Sequence, residues 1–160
     1  RIRGGGDAGI TAAQELVRGL SLHAFAEEVA VYPRVQEEVE QGEPAAAHAR
    51  EEHQAIKEAL LRLDQGLRSD SIDTDALDDL VAEVTHHVGE EEGEVLPALR
   101  RAVGTDGLAE LADAFEDAKG KAPTRPHPHA PDTPPGEVVA GVMAKPLDRT
   151  RDAIEGRPRD

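Results

Sequence analysis

The pairs His23-x3-Glu27 and His87-x3-Glu91 each set an imidazole and a carboxylate four residues apart. Residues at that spacing stack on one face of an α-helix. Both pairs fall inside apolar stripes. Leu16 and Leu20 precede His23, Leu80 and Val84 precede His87, and Val95 follows Glu91. His53 sits in a third stripe, between Ala49 and Ile56. Burying an ionised carboxylate without a partner is very unfavourable, and two such groups in one small core also repel each other. No Lys or Arg lies in these stripes at the same level. A multivalent cation held by the imidazoles and carboxylates resolves the conflict.

The two pairs belong to an internal repeat. His23-x3-Glu27-Glu28-x3-Tyr32-Pro33-x-Val35 aligns with His87-x3-Glu91-Glu92-x3-Leu96-Pro97-x-Leu99. A single His-x3-Glu arises on any charged helix. Two of them, inside apolar stripes and with the same downstream proline, point to a built site. Without them His53 would read as a hydrogen-bonded core histidine. Glu28 and Glu92 lie beside the stripes and are expected to face solvent. His86 is rotated about 100° from His87, and His48 about 140° from His53, so both are expected at the surface. His127 and His129 lie in a proline-rich arm, solvated or packed as it crosses the bundle. Tyr32 reads as a helix-end packing residue.

The elements that must position these groups are helical. A first helix is expected from Thr11, a suitable N-cap, through Pro33 towards Gly42. A second runs from Pro44, well placed in a first turn, to about Gly66. A polar loop from Ser69 to Thr74 leads to a third helix over roughly Asp75 to Val103. A shorter one follows from Asp106 to Lys119. The predicted organisation is a flexible Gly-rich start (1–10), a helical bundle (11–119), a Pro-rich arm (120–137) and a short C-terminal helix with tail (138–160). No segment alternates as a strand does, so the class is all-α.

The chain has 160 residues, 33 Asp+Glu against 18 Lys+Arg, a net charge of −15 and no cysteine. High charge with few aromatics also describes disordered chains, but the helical periodicity argues against disorder. An acidic chain is not expected to bind nucleic acid or an anionic membrane surface. No apolar run approaches the roughly 20 residues needed to span a bilayer. Without cysteine there is no disulfide, thiolate metal site or thiol nucleophile. Seven histidines among many carboxylates leave nitrogen and oxygen as the available ligands.

The motifs together resemble the hemerythrin-like, or HHE cation-binding, domains of bacteria. His23-Ala-Phe-Ala-Glu27-Glu-Val-Ala-Val-Tyr-Pro33 is similar to that family's second-helix motif. Glu51-Glu-His53-Gln-Ala-Ile56-Lys is similar to the third, and His86-His87-Val-Gly-Glu-Glu91-Glu-Gly-Glu-Val-Leu-Pro97 to the fourth. The Pro123-x-x-Pro-His-Pro-His-Ala-Pro segment looks like the tail of one bacterial subgroup. The resemblance covers about residues 11–135. It implies an up-and-down bundle holding a non-haem di-iron centre. His23, His53 and His87 would be imidazole ligands, and Glu27 and Glu91 would bridge the metals. Oxygen carriers of the family have a further histidine where this chain has Ala49.

The resemblance also implies that the family's first helix, with its histidine, is missing from this chain, which begins with Arg1 rather than Met. A homodimer, or the missing segment, would then complete the bundle. Iron is the expected metal, with zinc or manganese as alternatives. The expected ligand is a small diatomic molecule or peroxide, in oxygen binding, sensing, peroxide disposal or iron sequestration. Two readings from other classes stay open: a metal-free helical interaction module, and a mononuclear Zn/Mn hydrolase-like site. Whether the chain is an enzyme is left undecided. Nothing directs export, so the expected location is cytoplasmic. Fourteen Arg against four Lys agree with a GC-rich bacterial source.

Overall fold

The computed structural model describes residues 6–128, which hold helices and no strand. α1 (Gly6–Ala26) runs into a π turn (Glu27–Val31), then α2 (Tyr32–Glu38). α3 (Gly42–Leu67) and α4 (Thr74–Glu90) follow; a second π turn (Glu91–Val95) joins α4 to α5 (Leu96–Lys121). None of the described helices is long and apolar enough to cross a membrane. The expected C-terminal helix, His129 and the rest of the arm lie outside the described residues.

α1 begins earlier than the sequence predicts. Asp7 lies in its first turn, where a negative charge is favourable. Thr11 is therefore not a cap; it sits inside the helix, and its hydroxyl donates to the Asp7 carbonyl at 2.9 Å.

The two expected long helices around the repeats are each interrupted. The Tyr32 amide donates to the Glu27 carbonyl, and the Leu96 amide to the Glu91 carbonyl, in each case five residues back. Pro33 and Pro97 follow immediately. Proline lacks an amide hydrogen and crowds the carbonyl four residues before it. A π turn at that point accommodates both effects, and such turns recur at functional sites. The sequence repeat is thus a repeated backbone device that starts at each site glutamate.

The connections are tight. Gln41 takes a left-handed conformation, with φ of 57°. At Gly42 any Cβ would overlap the Val35 carbonyl, so α3 can start against α2 only with glycine there. α4 is capped by Asp73, whose carboxylate accepts from the Ala76 amide at 2.9 Å. Asp73→Ala is expected to lower stability by about 1 kcal/mol, the usual value of an N-cap. Urea denaturation checks this, and an unchanged midpoint would show that the cap contributes nothing. α5 is broken at Gly104, where φ of 66° favours glycine. The segment beyond this break is the separate short helix the sequence predicts.

α3 packs against α1, α2 and α4, and α5 packs against α1 and both π turns. Two apolar clusters result. One joins Val17 of α1, Leu60 and Leu63 of α3, and Leu77 and Leu80 of α4. The other joins Tyr32, Val35, Ala49 and Leu99, with Leu111 and Phe115 against it. Each fully buried aliphatic side chain favours folding by roughly 1.5–3 kcal/mol. His53 lies between Ala49 of one cluster and Ile56 of the other, so polar groups at its level are enclosed by apolar layers along the bundle axis.

The chain after α5 also packs. Ala122, Thr124 and Arg125 are buried, and Arg125 Nη1 lies 3.1 Å from Asp64 Oδ2 on α3. The start of the Pro-rich arm is thus a strap over the bundle. Val81, Val88 and Leu96 remain exposed on α4 and at the start of α5.

Candidate metal centre

α1 with its π turn, α3, and α4 with the second π turn bring Glu27, His53 and His87 together, with Glu91 beside them and His23 at the edge. At the middle, His53 Nε2 and His87 Nε2 face each other at 3.0 Å. Glu27 Oε2 lies 3.3 Å from His53 Nε2. Glu27, His53 and His87 are all buried, and one donor atom from each falls within 4.8 Å of the others. Glu91 Oε1 adjoins this set, 3.5 Å from His87 Nε2. His23 stands at the rim. It is half-exposed rather than inward, its ring packs edge-on against Phe115, and its Nε2 contacts Glu27 Oε1 at 2.9 Å.

The imidazoles are oriented from behind. His53 Nδ1 lies 2.9 Å from Glu28 Oε1, and His87 Nδ1 lies 2.9 Å from Glu52 Oε2. An ionised carboxylate can only accept, so each Nδ1 carries the hydrogen. With both rings neutral, the two Nε2 atoms face inward with their lone pairs. Carboxylate–imidazole pairs of this kind fix the ring orientation of metal-ligating histidines and raise their basicity. Two lone pairs opposed at 3.0 Å are repulsive unless a proton or a cation lies between them. Glu27 Oε2 is also buried without a hydrogen-bond partner. Two imidazole nitrogens and an unsatisfied carboxylate oxygen form a donor set that fits a borderline or hard divalent cation.

The electrostatics agree. Burial opposes charge on Glu27, but the adjacent His23 and His53 hold its carboxyl down to about 2. Burial, then the neighbouring Glu27 charge, pushes Glu91 up to about 7. Burial also opposes charge on His53, yet Glu27 and Glu28 raise it to about 9. His23 is raised by its contact with Glu27, and the Tyr32 hydroxyl is raised by burial. Without a cation, the pocket retains protons to balance its carboxylates. A metal ion would take the place of those protons, so binding releases them.

Glu28, Lys57, Tyr32 and Glu52 take parts in the site that the sequence pattern does not suggest. Glu28 is fully buried, not solvent-facing, and reaches Lys57 Nζ at 2.7 Å as well as His53. Lys57 thereby supplies a positive charge at a level where the stripes suggest none. Tyr32 does more than pack. Its hydroxyl lies 2.8 Å from His53 Nε2 and 3.1 Å from Glu91 Oε1. Glu52 has no place in the stripe pattern, although its position next to His53 is a signal: consecutive residues can serve two layers of one site. His48 and His86 are exposed, as expected.

The comparisons agree with this geometry. Residues 9–99 match the family described as Hemerythrin HHE cation binding domain. An uncharacterised hemerythrin-like protein of Schizosaccharomyces pombe is 36% identical over 145 residues, covering 90% of this chain and 71% of its own length. No solved structure matches. With a family match over more than half its length and a relative 36% identical over 90% of it, the chain belongs to the hemerythrin HHE cation-binding family.

Proposed function

We propose that the chain is a non-haem iron protein whose buried His/Glu cluster holds a di-iron site that handles dioxygen, peroxide or nitric oxide, or sequesters iron. The observation that carries this reading is the pair of imidazole Nε2 atoms opposed at 3.0 Å beside the unsatisfied Glu27 Oε2. His53, His87 and Glu27 would hold metal at the centre. Glu91 beside His87 and His23 beside Glu27 extend the donor set to five groups, enough to serve more than one ion. Bound iron would supply open coordination positions for a diatomic ligand or peroxide.

The chain's own residues do the rest. Glu28 and Glu52 hold the rings in register. The apolar clusters on either side limit water. The Tyr32 hydroxyl offers a proton donor within reach of His53 and Glu91.

A second reading rests on the compactness of the inner three groups. Two histidines and one glutamate are also the ligand set of mononuclear catalytic zinc sites, which keep a fourth position open. Metal content and visible absorption of the purified full chain separate the two. About two irons per chain, with absorption in the visible, are expected for a two-metal centre. About one colourless zinc per chain, lost in His53→Ala, would replace this proposal with the second reading.

A further inference from the structure

A second group of histidines and carboxylates lies one step outside the centre, at the surface between α3 and α4. His48 and Glu52 are four apart on α3, and His86 and Glu90 are four apart on α4. The spacing of the inner pairs therefore recurs on two facing helices. On α4 it is displaced by one residue from His87 and Glu91. His48 Nε2 lies 3.0 Å from Glu90 Oε2 and 3.9 Å from Glu52 Oε1. His86 Nε2 lies 3.3 Å from Glu52 Oε1 and 3.3 Å from Glu90 Oε1.

These contacts could be ordinary surface ion pairs, which contribute little. One atom argues otherwise. The Glu52 side chain is 10% exposed, and its Oε1 is buried without a hydrogen-bond partner, while its Oε2 is engaged by His87 Nδ1. A buried carboxylate oxygen left unsatisfied carries a desolvation cost. It lies near two imidazole nitrogens, His86 Nε2 at 3.3 Å and His48 Nε2 at 3.9 Å, and forms a hydrogen bond with neither. The donor atoms are also spaced for one ion. Ligands about 2.0–2.2 Å from a tetrahedral metal sit roughly 3.3–3.6 Å from each other. One donor atom each of His48, Glu52 and Glu90 lies within 4.8 Å of the others, and His86 Nε2 adjoins the group, 3.3 Å from Glu52 Oε1 and from Glu90 Oε1.

We propose that His48, Glu52, His86 and Glu90 form a second cation site, for a single borderline divalent ion of the zinc class. Two imidazoles and two carboxylates suit such an ion, and its charge would balance both glutamates. The site opens to solvent, with His48 and His86 side chains 56% and 61% exposed. It is joined to the inner centre through the Glu52 carboxylate, one oxygen on each side. It does not depend on which metal the inner centre holds.

The test is zinc uptake by the tag-free full chain, measured by equilibrium dialysis against zinc chloride and elemental analysis. Both outer histidines are exposed, so His48→Ala with His86→Ala should fold normally. This double variant is expected to lose one class of zinc sites. Either single variant should weaken that class by roughly tenfold or more, since even indirect partners of a metal cost that much. His53→Ala is expected to keep the outer class and lose the inner one. Uptake by the double variant equal to wild type would overturn the proposal, as would a wild type with no zinc beyond that lost with His53. His53→Ala binding zinc as wild type does, while the double variant loses its share, would sink the inner reading and uphold the outer site.

Discussion

His53→Ala is expected to abolish metal binding at the inner centre. Its Nε2 is the point where the other groups meet: His87 Nε2 at 3.0 Å, Glu27 Oε2 at 3.3 Å and the Tyr32 hydroxyl at 2.8 Å. Removing the ring takes away one ligand directly. It also frees Glu28 from its Nδ1 partner, leaving that buried carboxylate on Lys57.

Two effects on stability follow, and they are separable. The metal-free variant should lose about 1–3 kcal/mol from the partner left behind. The larger loss appears only with metal present. A ligand at 1,000 times its dissociation constant stabilises the folded state by about 4 kcal/mol. Wild type should therefore melt at a higher temperature on adding Fe(II) under anaerobic conditions, and the variant should not. Thermal melting with and without Fe(II), together with iron content after dialysis, checks both. A variant that retains wild-type iron would show that His53 is a core histidine and nothing more.

Arg125→Ala is expected to be the most damaging substitution away from the centre. Arg125 and Asp64 are 2% and 1% exposed, and Arg125 Nη1 reaches the two Asp64 carboxylate oxygens at 3.1 and 3.4 Å. Breaking a buried pair by removing one partner typically costs 3–5 kcal/mol, because the other charge stays buried. Asp64 keeps Arg68 Nη2 at 3.1 Å, on a side chain 41% exposed. The loss should therefore fall near the low end, about 3 kcal/mol. For a domain of this size that is on the order of 10 °C in Tm.

The double replacement Asp64→Leu with Arg125→Met should recover most of that loss, since apolar residues of similar volume can replace a buried pair at little cost. Calorimetry of the single and double variants decides. A single variant with wild-type Tm would mean that the strap is not held by this pair.

The repeat shows how far the residues could be read in order. His53, His87, Glu27 and Glu91 were legible because a polar residue inside an apolar stripe has to be satisfied by something. The helix ends near Gly66 and the break at Gly104 were legible because turn formers and left-handed positions carry their own residue preferences. Glu28 was misread for a definite reason. A regular helix turns 100° per residue, which puts position 28 beside the inward face. The equivalent Glu92 lies in the same kind of π turn and stays exposed, so the backbone is not the cause; α3 packs over Glu28 and brings His53 and Lys57 to its carboxylate. His23 was misread in the opposite sense: its stripe continues inward, but at its level the ring meets Phe115 at the rim.

The partners that orient the site were not legible. Tyr32 and Glu91 are 59 positions apart, His87 and Glu52 are 35 apart, and Arg125 and Asp64 are 61 apart. No local rule links such residues. Helical periodicity, caps and the two His-x3-Glu pairs arise from hydrogen bonds and rotations within a few residues of the chain, so the order of amino acids is enough to set them. Which carboxylate stands behind which imidazole depends on how α1, α3 and α4 pack in depth and rotation. That is a property of the assembled core, where a shift of one residue exchanges a buried face for a solvated one.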